Sequence, residues 1–195
     1  MTHTFYYSGP LLYHTELNEN DLQNLKKICL KDKTKDSRKN LTGDFDHQYT
    51  IDIKKFDEIL KNYLTEYYQC FQHWYNKKII NFKTVAAWVN FMKEGDFNPL
   101  HVHDSDLSCV LYLDVPLKLK EENKKYKGTD RDGGPGSINF TFHAGNEKFN
   151  ISNKNYFPKT GDFFIFPAHL LHCVFPFKSK VERTSVSANF KIETI

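Results

Sequence analysis

The sequence has no apolar run that approaches the roughly 18–20 residues of a membrane-spanning helix. Its first residues, Met1 to Tyr7, lack the basic and apolar regions of a signal peptide. A CxxC pair is also missing, and widely spaced cysteines of this kind are typical of reduced, mostly buried thiols. The four are Cys29, Cys70, Cys109 and Cys173. We therefore expect a soluble protein that stays in the cytoplasm.

Charge of one sign is not in excess, because Lys and Arg total 27 against 24 for Asp and Glu, a formal net charge of +3. This balance disfavours nucleic acid or an anionic membrane as the main partner. Aromatic residues are abundant instead, and 17 Phe and 11 Tyr suffice for a sizeable core, which excludes wholesale disorder.

At 195 residues, without an internal repeat or a linker, the chain is expected to form a single domain, 1–195.

The first 78 residues are predicted to form a mainly helical region that supports the rest of the chain. The aromatic run from Phe5 to Tyr7 is a candidate opening strand, and the polar segment from Lys31 to Asn40 is a candidate solvated loop. Asn20 is placed to cap a first helix. The apolar face of this helix comprises Leu22, Leu25, Ile28 and Cys29.

The clearest helix spans Ile53 to Tyr75, where apolar and aromatic residues recur every three or four positions. A stripe with this period is usually the core face of a helix. We therefore expect it to pack against a sheet and assign it no cofactor role. The stripe comprises Phe56, Leu60, Tyr63, Tyr67, Phe71 and Trp74.

After residue 78 the pattern changes to short strands with no helical segment between them. The predicted strands span 79–91, 107–115, 137–142, 162–167 and 184–192. An uninterrupted series of strands favours an antiparallel sandwich or barrel over a parallel α/β sheet. The polar, Gly-rich segment 118–136 is long for a connection and is predicted to be an active-site lid or a flexible insertion.

Three of the nine histidines occupy positions that suit a metal site. His101 and His103 are two residues apart, so on a strand they project from the same face. Imidazoles on one face can converge on one ion, although an isolated pair with this spacing is more often hydrogen-bonded or solvent-facing. A third histidine, His172, follows a later predicted strand.

The last predicted strand carries a polar face that suits an anion. Residues that alternate along a strand share a face, and here they are Arg183, Ser185, Ser187 and Asn189. If this face meets solvent, it needs no further explanation. If it lines the interior of a barrel, it forms a row of hydrogen-bond partners beside the metal. Arginine suits a carboxylate because its planar fork donates two parallel hydrogen bonds.

Taken in order, these motifs resemble those of the Fe(II)/2-oxoglutarate-dependent dioxygenases. The motifs are His101-x-His103, the apolar strand Cys109 to Leu113, Pro158-x-x-Gly161-Asp162, His172 and Arg183-x-Ser185. The resemblance covers about residues 88–190 and is strongest to the prolyl-hydroxylase-like group, within it to a subfamily of 2OG-Fe(II) oxygenases common in bacteria and their viruses. If a virus encodes the chain, the expected cytoplasm is that of the host cell.

The resemblance implies a mainly β fold with N-terminal helices and a double-stranded β-helix core of the jelly-roll or cupin type. In this interpretation the core spans 79–195, with a lid-like insertion at 118–136, and 1–78 is the helical support. The cofactors implied are Fe(II), with 2-oxoglutarate and O₂ as co-substrates. The reaction implied is hydroxylation of a small-molecule or peptide substrate, with conversion of 2-oxoglutarate and O₂ to succinate and CO₂.

Carried over residue by residue, the resemblance implies that His101 and His172 are iron ligands. Arg183 would pair with the distal carboxylate of 2-oxoglutarate, helped by Ser185. Tyr112 falls where related enzymes often place a tyrosine hydroxyl on the same carboxylate; the alternative is a core tyrosine in an apolar strand. Asn189 is a further candidate contact on the polar face of the last strand.

The resemblance does not assign the third iron ligand to one residue, because most of the superfamily has an aspartate where this chain has His103. Either His103 is itself the ligand, or Asp104 or Asp106 replaces the missing carboxylate. Strand parity favours His103, since Asp104 points to the other side of a continuing strand and Asp106 lies beyond the strand's end.

The same fold and cofactors could also give halogenation or ring chemistry in place of hydroxylation, and two alternative functions of other classes remain at this point. One is a cupin-type metal enzyme without 2-oxoglutarate, in which a Glu usually follows the His-x-His pair; here the following acidic residues are Asp104 and Asp106, and no Glu occurs before Glu121. The other is a non-catalytic jelly-roll binding protein whose histidines are incidental.

Overall fold

The computed structural model describes residues 9–31, 36, 43, 47–126, 128, 133–143 and 153–195. The helices are Glu19–Lys31 (α1), Ile53–Tyr75 (α2) and Leu117–Lys125 (α3). The strands are Tyr13–Glu16 (β1), His47–Thr50 (β2), Ile79–Met92 (β3), Asn98–His101 (β4), Leu107–Asp114 (β5), Ile138–Thr141 (β6), Asn153–Tyr156 (β7), Asp162–Pro167 (β8), Leu171–Val174 (β9) and Arg183–Thr194 (β10). The candidate strand at Phe5 to Tyr7 and most of the candidate loop at Lys31 to Asn40 lie outside the described residues.

The strands form two antiparallel sheets. The major sheet has the order β1-β8-β5-β10-β3-β2, and the minor sheet has the order β4-β9-β6-β7. Side chains from both sheets share one buried cluster, for example Tyr112 of β5 and Phe140 of β6, so the sheets pack face to face. This is the architecture expected of a double-stranded β-helix core, and it confirms the predicted mainly β fold.

The major sheet lies between the minor sheet and the helices α1 and α2, and strand β8 illustrates how the sequence produces this. Successive side chains of a strand point to opposite faces. Phe163 and Ile165 belong to the core that packs against α1 and α2, whereas Phe164 and Phe166 belong to the core between the two sheets. All four are buried, which explains the nearly continuous apolar run.

Helix α2 has the predicted bounds. Asp52 caps its N-terminus by accepting a hydrogen bond from the backbone N–H of Lys55 (3.2 Å), and Asn76 ends it in the left-handed conformation, with φ of 51°. The buried face comprises Phe56, Leu60, Leu64, Tyr67 and Phe71. The expectation for Trp74 was wrong: it is 40% exposed, and its indole N–H donates to the Gly9 carbonyl (3.2 Å).

Helix α1 is capped by Asn18 and not by Asn20, which lies inside the helix. The Asn18 Oδ1 accepts a hydrogen bond from the backbone N–H of Asp21 (2.9 Å). The Tyr63 hydroxyl of α2 accepts a hydrogen bond from the backbone N–H of Asn18 (3.0 Å) and donates to Asp21 Oδ2 (3.0 Å). Asn18 therefore joins the two helices as well as capping one of them, a tertiary role that local sequence does not reveal.

The expectation that no helix separates the strands of the second half was wrong, because α3 lies between β5 and β6. Pro116 occupies the N-cap, where its missing N–H costs nothing. Leu119 is fully buried, and Gly136, with φ of 74°, passes so close that a Cβ there would lie 2.9 Å from Leu119 Cδ2. One buried leucine thus anchors an otherwise polar helix.

The N-terminal region is not only helical, since β1 pairs with β8 and β2 pairs with β3. Both are edge strands of the major sheet. All four cysteines are free. Of the helices in the described ranges, none combines the length and the apolar character that a membrane span requires.

The shared role of Asn18 predicts a specific loss of stability. Asn18→Ala removes the cap of α1 and the hydrogen bond that Asn18 Nδ2 donates to the Tyr63 hydroxyl (3.0 Å), and we expect it to lower the free energy of unfolding by about 1–2 kcal/mol. Asn20→Ala, two residues away and exposed, is the matched control and should change it by less than about 0.5 kcal/mol. Urea denaturation of both variants measures the difference, and equal midpoints would contradict the assignment.

Candidate active site

The pairing of β4 with β9 brings two histidines together. His101 and His172 are direct partners in this antiparallel pair, and their ring centroids lie 4.2 Å apart. His172 in turn pairs with Phe140 on β6, which places it at the centre of the minor sheet. The sheet register therefore joins residues that are far apart in sequence.

His103 reaches the same place from a loop. Strand β4 ends at His101, so the two histidines are not on one strand as the spacing predicted. The backbone N–H of His103 donates to the Ala168 carbonyl (2.9 Å), which holds the loop against the segment that precedes β9. Its ring centroid lies 5.0 Å from that of His101 and 5.1 Å from that of His172.

Backbone carbonyls set the tautomers of two of these rings. The Nδ1 of His101 lies 2.7 Å from the Pro99 carbonyl oxygen, and the Nδ1 of His172 lies 2.8 Å from that of Leu170. Because a carbonyl only accepts, each Nδ1 carries the hydrogen, and each Nε2 presents a lone pair. One potential ligand atom from each of the three histidines lies within 4.8 Å of the others, a spacing that one ion with bonds of about 2.1 Å spans after small ring rotations.

Burial keeps the three imidazoles neutral. It lowers the pKa of His103 to about 4 and that of His172 to about 3, and the neighbouring histidines act in the same direction. The pKa of His101 is also lowered, chiefly by burial. At neutral pH the rings therefore offer lone pairs and not charges, which is the state that a metal ligand requires.

The two alternative carboxylates are not part of this cluster. Asp104 is exposed. Asp106 is directed toward β10, where its Oδ2 accepts a hydrogen bond from the backbone N–H of Ile192 (2.8 Å) and its Oδ1 lies 3.7 Å from Lys191 Nζ. His169 is also exposed. Of the described residues, only the three histidines form a group of at least three metal-binding side chains.

Arg183 lies at the closed end of the site and is 1% exposed. Its Nη1 donates to the Gly136 carbonyl (2.9 Å), and its Nη2 lies 2.6 Å from Met92 Sδ. Its Nε has no hydrogen-bond partner among the described residues, and none of their carboxylates forms an ion pair with it. Burial lowers the pKa of the guanidinium, and the adjacent Tyr112 opposes this.

Tyr112 and Ser185 flank the guanidinium on neighbouring strands. They are direct partners in the pairing of β5 with β10, and both are buried. The Arg183 Cζ lies 5.4 Å from the centroid of the Tyr112 ring. The Tyr112 hydroxyl also has no hydrogen-bond partner within the described part of the chain. Burial raises its pKa to about 12, so the hydroxyl keeps its proton and can donate.

The histidine cluster and the guanidinium open into one cavity of about 310 Å³. Asn189 also lines it, although its Oδ1 accepts a hydrogen bond from the Ser108 hydroxyl (3.0 Å). Sequence reasoning missed several other lining residues. Of these, Trp88, Asn90 and Met92 alternate along β3, so strand parity could have identified their shared face; nothing in the sequence singles out Gln48 or Asn98.

Comparison with known proteins agrees with this geometry. A family model described as "Putative 2OG-Fe(II) oxygenase" matches residues 86–189, just over half of the chain. The matched range contains the three histidines, Arg183 and Ser185. No curated protein matches the sequence.

Solved structures show the same fold at low identity. A prolyl-4-hydroxylase of Pseudomonas putida is 16% identical over 93% of this chain and 92% of its own, with a TM-score of 0.61. The viral collagen prolyl hydroxylase of Paramecium Bursaria Chlorella virus-1, in complex with 2-oxoglutarate, is 14% identical over 92% and 94%, with a TM-score of 0.57. HygX of Streptomyces hygroscopicus, with nickel and 2-oxoglutarate bound, is 9% identical over 94% and 82%, with a TM-score of 0.58.

These findings confirm the suspected superfamily, the double-stranded β-helix fold and the enzyme class. The donor set fits the cofactors of that class, since three neutral imidazoles suit a divalent iron ion and an unpaired buried guanidinium suits a dicarboxylate. The chain belongs to the 2OG-Fe(II) oxygenase family, the oxidoreductases that use Fe(II), 2-oxoglutarate and O₂.

Proposed function

We propose that this protein hydroxylates a small-molecule or peptide substrate and converts 2-oxoglutarate and O₂ to succinate and CO₂. The observation that carries the proposal is the presence, in one cavity, of three convergent imidazoles and a buried guanidinium without a carboxylate partner among the described residues. The four free cysteines are consistent with a cytoplasmic location, which we propose as well.

In this proposal His101, His103 and His172 hold the iron. When bound, the iron activates O₂ and couples decarboxylation of 2-oxoglutarate to oxidation of the substrate. Three neutral ligands leave the full double charge of the ion uncompensated, whereas an aspartate in the third position would neutralise half of it. The site should therefore attract the dianionic co-substrate strongly.

Arg183, Tyr112 and Ser185 bind the distal carboxylate of 2-oxoglutarate in this proposal. The Nε of Arg183 and the hydroxyl of Tyr112 are buried donors without partners in the described ranges, and leaving such groups unsatisfied is costly. A carboxylate between them would accept both hydrogen bonds and neutralise the guanidinium. Phe140 and Phe166, both buried beside His172, exclude water from the metal side.

The two alternative functions give Arg183 no role. A cupin-type metal enzyme that lacks 2-oxoglutarate does not need a cation at the closed end of its cavity. A jelly-roll binding protein with incidental histidines does not need to fix the tautomers of two of them through backbone carbonyls. An unpaired buried charge is destabilising, so its presence is better explained by a bound anion.

We also propose that the insertion 118–136 closes the site. Asn123 on α3 donates through Nδ2 to the Pro135 carbonyl (3.0 Å) and to the Ser137 hydroxyl (3.1 Å), which ties the start of the insertion to its end. At that end, the Gly136 carbonyl accepts the hydrogen bond from Arg183. The position of the insertion is thereby connected to the residue that receives the co-substrate.

Removing the guanidinium tests the anion site. Arg183→Ala should still bind Fe(II), but its formation of succinate should fall by about a hundredfold or more, because the carboxylate loses the positive charge and the hydrogen bond from Nε, and one hydrogen bond between charged groups is worth up to about 3 kcal/mol. Lys191→Ala removes a cation from the exposed end of the same strand and serves as the control. Succinate release at wild-type rate from the Arg183 variant would refute the proposed role.

Removing one hydroxyl tests the second donor. Tyr112→Phe keeps the buried ring and should weaken 2-oxoglutarate binding about tenfold or more, since a hydrogen bond to a charged acceptor contributes about 1.5–3 kcal/mol. Anaerobic titration of the Fe(II) protein with 2-oxoglutarate measures the affinity. A core tyrosine without this role predicts unchanged affinity, with an altered melting temperature as its only effect.

Two histidines three residues apart provide a matched test of the metal site. His172→Ala should reduce Fe(II) binding from one ion per chain to a level that dialysis removes. His169→Ala, at an exposed position, should retain the ion. Metal analysis after gel filtration distinguishes the two variants, and a stoichiometric ion in the His172 variant would mean that the metal binds elsewhere.

A further inference from the structure

The cavity extends from the histidine cluster along the inner face of the major sheet, where its wall is polar but uncharged. In the sheet register Gln48 of β2 pairs with Asn90 of β3, and Asn90 pairs with Ser185 of β10. In the next row of the same face, Trp88 pairs with Ser187. All of these residues line the cavity.

Hydrogen bonds between neighbouring strands hold this wall in place. The Gln48 Nε2 donates to Asn90 Oδ1 (2.8 Å), and the Asn90 Nδ2 lies 3.4 Å from the Ser187 hydroxyl oxygen. Gln48 and Asn90 are 6% and 7% exposed, whereas Ser187 and Asn189 on β10 are half-buried. The wall therefore presents amide and hydroxyl groups in defined orientations at the edge of a water-accessible space.

The described part of this wall has no charge to offer a substrate. Within the described ranges, the residues that line the cavity include no Asp, Glu or Lys, and Arg183 is the one arginine. Arg183 is buried at the closed end, and the proposed function assigns it to the co-substrate. A charged group that entered the remaining space would lose its hydration, and the described residues that line this space offer no opposite charge in return, which costs several kcal/mol.

An apolar surface adjoins the polar wall next to the metal site. The ring centroids of Trp88 and His103 lie 6.0 Å apart, and Val85 and Ile53 line the cavity nearby. The space that leads to the metal site thus combines hydrogen-bonding groups on one side with aromatic and aliphatic carbon on the other. An apolar lining with a few well-placed polar groups is typical of sites that bind small organic molecules.

We propose that the part of the substrate that enters this cavity is uncharged and is recognised through an amide group. An amide both donates and accepts hydrogen bonds, and so do the side chains of Asn90, Ser187 and Asn189. This inference rests on the proposed function, since it takes the other end of the cavity to be occupied by 2-oxoglutarate. It narrows the substrate to neutral amide compounds or uncharged segments of a peptide.

Three matched probes test the inference without requiring turnover. They are the N-acetyl, N-methylamide derivatives of glutamine, glutamate and lysine, which share a backbone and differ in side-chain charge. With Mn(II) at the metal site and 2-oxoglutarate present, a probe that enters the cavity is broadened in its proton NMR spectrum. We expect the glutamine probe to be broadened at least fivefold more than either charged probe.

One isosteric pair of variants makes the test specific for charge. Ser187→Asp places a carboxylate in the wall and should raise broadening of the lysine probe at least fivefold. Ser187→Asn, which has nearly the same shape without the charge, should keep the wild-type order of the probes. A reversal caused by Asp and not by Asn would assign the selectivity to charge at this wall.

Two results would overturn the inference. One is broadening of a charged probe that equals or exceeds that of the glutamine probe in the wild-type protein. The other is no broadening of any probe while the methylene signals of 2-oxoglutarate are broadened. Those methylene signals report on the proposed function separately, because their failure to broaden would count against the co-substrate site itself.

Discussion

The site depends on a buried guanidinium that has no carboxylate partner among the residues the structure describes. Moving an unpaired charge out of water costs several kcal/mol, and Arg183 is 1% exposed, with the Gly136 carbonyl and the Met92 sulfur as its hydrogen-bond partners. Within the described ranges, neither its Nε nor the neighbouring Tyr112 hydroxyl has a hydrogen-bond acceptor. A bound anion would stabilise such an arrangement, which is why we propose that a carboxylate of the co-substrate binds here.

The three histidines line the same cavity as the guanidinium and offer neutral ligand atoms for a metal ion. Burial keeps all three rings neutral, so they can hold a divalent ion without reducing its charge. In the proposed complex, a dication and a guanidinium would each attract one carboxylate of the co-substrate. The rest of the cavity wall is uncharged in the described ranges, so the electrostatic attraction would be concentrated where we propose that the co-substrate binds.

The sequence was sufficient to predict the periodic elements and the group of three histidines in the candidate site. Helix α2 and strand β8 have the predicted bounds, because hydrophobic periodicity is a local signal. The sequence also predicted that His101, His103 and His172 lie close together, but the expectation that His101 and His103 share a strand was wrong. His103 lies in a loop, and the hydrogen bond from its backbone N–H to the Ala168 carbonyl holds that loop near His172.

Features that depend on tertiary contacts were not predictable in the same way. Helix α3 looks polar in sequence, and a single buried side chain, Leu119, anchors it. The cap of α1 falls on Asn18 because Tyr63 of α2 binds the same residue. The polar wall of the cavity arises from the pairing of Gln48 with Asn90 across two strands, and register of this kind is set by the assembled sheet.

The most direct test of the account is anaerobic addition of 2-oxoglutarate to the Fe(II)-loaded protein, followed by visible absorption. If the ion is held by the three histidines and the co-substrate is anchored on Arg183, the keto acid chelates the iron and a metal-to-ligand charge-transfer band appears, saturating at one equivalent per chain. Protein that binds Fe(II) stoichiometrically yet develops no such band at saturating 2-oxoglutarate would contradict the account.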